Sequence, residues 1–207
     1  MKVESIESTR SPQGKLRVRF DDGSTLTVLP SAMAELGLYQ GMESPDGAMD
    51  SIKDTCAKAS ARERAVRIIS AATVSKRELV NRLIQKGERE EDAKQAVQWL
   101  EELKLLDDAK AAEQIVRNGA AKGYGAARIK QMLFEKRIPQ EYWEAALALL
   151  PPQDDAIDAF LQRRFRGRQP DKAECKRAAD ALARRGHRWS DIKSALERYA
   201  PDENFDD

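Results

Sequence analysis

The chain has 207 residues, 34% of them charged and 6% aromatic, with a formal net charge of +1. That length holds one large domain or two small ones, and the composition suits amphipathic helices around modest cores rather than a β-rich fold. Cys56 and Cys175 are too few for a disulfide framework and lack metal-site spacing. No apolar run approaches the ~20 residues of a membrane span, and Met1-Lys2-Val3-Glu4-Ser5 does not open a signal peptide. The expectation is a soluble cytoplasmic protein with no membrane partner.

The front of the chain, residues 1–55, reads as a small β-containing module. Leu16, Val18 and Phe20 alternate with Arg17 and Arg19, Asp22-Gly23 follows, and Leu26 and Val28 alternate with Thr25 and Thr27. This is a hairpin pattern, because the turn needs positive φ and Gly adopts it without a Cβ clash. Val3 to Ser8 adds a candidate third strand, Ser31 to Leu38 a short helix, and Gly41 to Gly47 a loop.

The rest is helical and repetitive. Lys86-Gly87, Lys136-Arg137 and Arg185-Gly186 recur at spacings of 50 and 49 residues. Counted from these anchors, apolar residues fall in register: Leu83, Leu133 and Leu182 before them; Ala93, Trp143 and Ile192, then Val97, Leu147 and Leu196, then Leu100, Leu150 and Tyr199 after them. A fixed period of this size marks tandem units that bury their apolar faces against neighbours. The fold class predicted is mainly α, with tandem three-helix repeats forming an elongated array behind the N-terminal hairpin module. Repeat 1 covers 60–106, with helices over 60–71, 76–86 and 90–103. Repeat 2 covers 107–150, with helices over 108–121, 126–136 and 139–149. Repeat 3 covers 153–200, with helices over 154–165, 171–184 and 190–199, and an acidic tail occupies 201–207. Ser60-x-x-Glu63, Ser75-x-x-Glu78 and Asp171-x-x-Glu174 have capping-box spacing. Asp107 before Asp108 suits an N-cap, Gly87 and Gly186 suit left-handed helix ends, and Pro139 suits a first helical position.

No catalytic constellation is visible. His187, the one histidine, stands in a Gly186-His187-Arg188-Trp189 turn, where solvation is the simplest reading. Gly123-Tyr124-Gly125 lacks the further residues of a phosphate loop and reads as an interhelix turn. Neither a nucleophile with its base nor a cofactor motif is present, so the protein is expected not to be an enzyme and to use no cofactor. A helix-turn-helix docking on DNA would need a cationic third helix. Here that helix opens with Glu88, Glu90, Glu91 and Asp92 in repeat 1, and in repeat 2 it holds Glu141 and Glu144 with no Lys or Arg.

Cations concentrate elsewhere. Lys76, Arg77, Arg128, Lys176 and Arg177 fall on the middle helices, with further Lys and Arg at the helix ends, and form a candidate stripe for a polyanion or an acidic protein groove. Arg163, Arg164, Arg166 and Arg168 surround Phe165 and Gly167 in a denser cluster. Among the tryptophans, Trp143 sits at a core position, Trp99 is ambiguous, and Trp189 beside Arg188 is a candidate contact.

Three stretches, in order and at this spacing, resemble the RecX family of bacterial regulators of the RecA recombinase. They are Ser75-Lys76-Arg77-Glu78-Leu79 through Leu83 to Lys86-Gly87, then Leu106-Asp107-Asp108, then Gly125-Ala126-Ala127-Arg128-Ile129 through Leu133 to Lys136. The resemblance spans about residues 60–200. Ala111 replaces a usual aromatic, Arg137 a usual Gly, and the third unit is diverged. The resemblance implies tandem three-helix units that bind along the groove of the RecA–DNA filament. It implies inhibition of ATPase, strand exchange and SOS co-protease activity. The implied partners are the RecA filament and the single-stranded DNA within it, with weak direct DNA binding, and the implied state is a monomer without catalytic groups. Two rivals remain open: a helical repeat that binds DNA independently of RecA, and a structural adaptor for another protein.

Overall fold

The computed structural model describes residues 1–45 and 47–200, and the predicted acidic tail lies outside them. The described residues form two compact units: Met1–Ala72 with Glu78–Leu106, and Thr73–Arg77 with 107–200.

In the first unit, β1 (Val3–Ser8), β2 (Leu16–Phe20) and β3 (Thr25–Val28) form an antiparallel sheet in that order. The alternation works as expected: Val18, Phe20 and Val28 are fully buried while Arg17 and Arg19 face water. α1 (Pro30–Leu36) and α2 (Ala48–Ala71) follow. α2 is the main departure from expectation, because it starts after Gly47 and crosses residue 55 without a break. No Gly or Pro interrupts residues 48–71, so nothing stops the helix short of Ile52 and Ala59, which share the core of the sheet. Ser60 is therefore mid-helix rather than a cap, and its hydroxyl donates to Glu88 Oε1 at 3.1 Å. α3 (Lys76–Gln85) and α4 (Glu90–Glu102) complete repeat 1, with α4 packed on α2. The repeat positions Leu83, Ala93 and Leu100 are fully buried. The acids that open the third helix are engaged: Glu88 accepts from Arg64 Nε at 2.7 Å, and Asp92 is paired with Arg89.

In the second unit, α5 (Asp108–Ala121) is capped by Asp107, whose carboxylate accepts from the N–H groups of Ala109 and Lys110 at 2.9 and 3.2 Å. Asp108 is buried and accepts the Lys76 N–H at 2.8 Å, while Ser75 Oγ donates to the Lys136 carbonyl at 2.7 Å. α6 (Ala126–Glu135) follows. The helix predicted over 139–149 is reduced to a 3-10 turn, Gln140–Tyr142, and a short α7, Trp143–Leu147. Pro139 stands before the turn as its cap, not inside a helix. The Trp143 indole donates to the Ile138 carbonyl at 3.0 Å and ties the segment back on itself, and Pro151 disfavours helical backbone at Leu150. α8 (Gln153–Phe165), α9 (Lys172–Arg184) and α10 (Trp189–Glu197) lie close to the helices expected over 154–165, 171–184 and 190–199. Asp171 and Glu174 make the complete capping box. Leu133, Leu182, Ile192 and Leu196 are fully buried, whereas Trp143 and Leu147 are only partly so.

Candidate functional site

The site is organised by the close approach of two interhelix turns. Gly125 N donates to the Arg185 carbonyl at 2.8 Å, and Ala127 N to the Gly186 carbonyl at 3.2 Å. A Cβ at Gly125 would stand 2.2 Å from the Gly186 oxygen, and one at Gly186 would stand 2.3 Å from the Arg128 nitrogen. Both positions must lack a side chain for the backbones to meet, and Gly186 also needs its φ of 85°. Gly123-Tyr124-Gly125 is thus an interhelix turn, as expected, and also a packing surface for repeat 3.

His187 corrects its sequence reading. It is 7% exposed rather than solvated. Its Nε2 lies 3.1 Å from the Gly123 carbonyl, and since a carbonyl only accepts, Nε2 carries the proton. Burial, reinforced by the Arg185 charge, holds its pKa below the ordinary histidine range, against the hydrogen bond to Gly123.

Above this junction two basic clefts adjoin. The first, of about 520 Å³, is lined by Lys122, Phe160, Arg163, Arg164 and Arg185 with small residues of α5 and α8, and no acid lines it. Arg185 is fixed there: its Nη1 donates to the Lys122 carbonyl at 3.1 Å and its guanidinium lies 5.1 Å from the centre of the Phe160 ring. The second cleft, of about 240 Å³, is lined by Arg164, Phe165, Arg168, Glu174 and Arg177. Arg168 grips the Glu174 carboxylate with two nitrogens. That contact and the Asp171 N–H hold the Glu174 pKa below the usual carboxylate range. Arg164 lines both clefts, so six cations face one acid that is already engaged.

The predicted site residues separate on this frame. Arg163, Arg164, Arg168 and Arg177 come together, with the Phe165 ring buried as the core anchor of the cluster. Arg166 caps α8 in a left-handed conformation, with φ 52°, and lines neither cleft. Lys176 is exposed on α9 and also lines neither. Arg128 is partly buried and pairs with Glu135 at 3.7 Å. Lys76 opens α3, and Arg77 lines a different groove beside Phe134 and Trp143. The sequence reading missed Lys122 and Phe160 as cleft residues and took Arg185 only for a helix-end cation. Their meeting depends on two turns some sixty residues apart, and the one local signal was the pair of glycines around Tyr124. Trp99 is partly buried, with Arg62 at 5.7 Å from its ring centre, and Trp189, the first residue of α10, is 49% exposed.

Comparison with known proteins decides the family. The model for "RecX, second three-helix domain" matches residues 107–147. A "Regulatory protein RecX" of Stenotrophomonas maltophilia is 35% identical over 144 residues, covering 68% of this chain and 87% of the relative. One of Vibrio parahaemolyticus is 31% identical over 140 residues, covering 66% and 90%. The chain belongs to the RecX family. Two crystal structures of RecX proteins share its fold. One has a TM-score of 0.66 at 21% identity over 95% of this chain and 98% of the other. The other, from Lactobacillus salivarius, has a TM-score of 0.59 at 19% identity over 69% and 96%. The RecX relatives are named regulatory proteins, and no helix among the described residues is long and apolar enough to cross a membrane.

Proposed function

We propose that this protein regulates RecA by binding along the RecA–DNA filament, with the paired clefts around Arg164 set against strand phosphates. Repeats 2 and 3 are joined through their backbones, so the two clefts present their charges as one track. A row of six cations around one neutralised carboxylate fits successive phosphates better than a single acidic side chain. Family membership supports RecA as the protein component. Binding there restrains filament ATPase, strand exchange and co-protease activity.

The test is DNA-stimulated ATP hydrolysis by the cognate RecA, with this protein titrated from substoichiometric to equimolar. Inhibition well below one molecule per RecA protomer is expected. No effect on ATPase alongside tight binding to naked DNA moves the function to the rival reading, DNA binding without RecA.

A further inference from the structure

A second surface of the repeat 2 and 3 unit bears different chemistry. Phe134, on the last turn of α6, is 71% exposed although its neighbour Leu133 is fully buried. It borders a groove of about 750 Å³ whose other walls include Arg77, Arg137, Ile138, Pro139 and Trp143. The Trp143 indole has its one donor on the Ile138 carbonyl, so the aromatic and aliphatic walls are apolar, and Gln140 with Glu135 supplies the polar part of the lining beside the two arginines. Arg77 and Arg137 rise at the margin with no ion pair among the described residues. The groove's acid, Glu135, is shared with Arg128.

Arg137 carries a further signal. It holds φ 55° at the helix end where the other repeats place Gly87 and Gly186, at φ 90° and 85°. A left-handed conformation is strained for a residue with a Cβ and free for glycine. A cation favours a helix C-terminus, but Lys136 already supplies one there. Lys104 and Arg166 hold the same conformation, at φ 57° and 52°, so the strain alone does not single out Arg137; what distinguishes it is a side chain that lines the groove at the position where the other repeats have glycine.

We infer that this groove receives a segment of a partner protein in which one apolar side chain stands between carboxylates. The side chain fills the space between Phe134 and Trp143, and the carboxylates meet Arg77 and Arg137. A nucleobase, whose edges are neutral, fits Arg77 and Arg137 worse than carboxylates do. Only the identity of that protein as RecA rests on the reading above.

The experiment follows the Trp143 indole N–H by NMR, assigned with Trp143→Phe, during titration with a synthetic peptide of one leucine flanked by aspartates. A lysine-flanked peptide and oligothymidylate serve as comparisons. The aspartate peptide is expected to move the resonance and the lysine peptide to leave it in place. Phe134→Ala and Arg137→Gly are each expected to weaken the peptide by about tenfold. Arg137→Gly should at the same time raise the thermal midpoint by relieving the backbone, which distinguishes a weakened groove from a damaged fold. Equal response to both peptides, or a response to oligothymidylate alone, overturns the inference. Binding of RecA without DNA is measured on the same variants. Peptide binding that depends on Phe134 while RecA binding does not upholds the groove and removes RecA as its occupant.

Discussion

His187 connects charge state to the joint between two repeats. Its ring is buried beneath the Gly123 turn, with Nε2 donating to that carbonyl and Nδ1 without a hydrogen-bond partner among the described residues. Burial favours the neutral ring, so the folded-state pKa lies below the 6.5 of an exposed histidine. Between 6.5 and the lowered folded value, the unfolded chain binds the extra proton and the folded chain does not. Stability is therefore full above that window and falls as pH drops through it, before the carboxylates begin to titrate. Urea midpoints taken at pH 7.5 and at pH 5.5, roughly spanning the histidine range, should differ for the wild type. His187→Gln should abolish most of that difference, and an unchanged difference would assign the pH response to other groups. The same residue shows where local sequence runs out. A histidine between Gly186 and Arg188 looks solvated, and its burial follows from a turn more than sixty residues earlier in the chain.

At the scale of elements, the joint is a contact of backbone with backbone, which side-chain trimming cannot accommodate. Gly125→Ala would set a Cβ 2.2 Å from the Gly186 oxygen and 2.5 Å from the His187 nitrogen. With φ −79°, Gly125 itself tolerates a side chain, so the whole cost comes from displacement of the facing turn, about 3 kcal/mol by the scale of overpacking. Gly87→Ala is the control. Its Cβ would meet nothing within 4 Å, so only the left-handed strain of about 1–2 kcal/mol applies. Denaturant midpoints should rank Gly125→Ala as the more damaging, and the reverse order would mean that the turns are not in contact. The helices were legible because apolar period and cap chemistry act within one or two turns of chain. Asp107, Asp171 and the anchors at Gly87 and Gly186 all stand where that reasoning put them. Ser60-x-x-Glu63 misled because a capping signature has meaning only where a helix starts, and the helix had started at Ala48. The short α7 was hidden because the bond from the Trp143 indole to the Ile138 carbonyl, five residues earlier, leaves no periodic or capping signature.

For the whole molecule, the charge of +1 conceals a strongly local distribution. Residues 153–200 carry twelve basic and eight acidic side chains, and several of those acids are occupied: Asp158 by Arg198, Glu174 by Arg168, Asp171 as a helix cap. Arg163, Arg164, Arg177 and Arg185 form no ion pair among the described residues and line the two clefts, whereas much of the positive charge elsewhere is paired along helices, as in Arg67 with Glu63, Lys94 with Glu90 and Arg117 with Glu113. On the proposed reading, long-range attraction to DNA is weak, and phosphate binding depends on ions displaced from one short track. This separates net charge from placed charge in a single experiment. Arg164→Glu and Lys130→Glu alter the net charge equally, but Arg164 lines both clefts and Lys130, exposed on α6, lines neither. Binding to oligothymidylate measured across a salt series should give Arg164→Glu a shallower dependence of log K on log salt, by about 0.7 for each phosphate that the variant no longer neutralises. Its affinity at low salt should also fall by about tenfold or more. Lys130→Glu should keep the wild-type slope. If the two variants behave alike, the track has no special standing, and the protein attracts DNA only through its summed field.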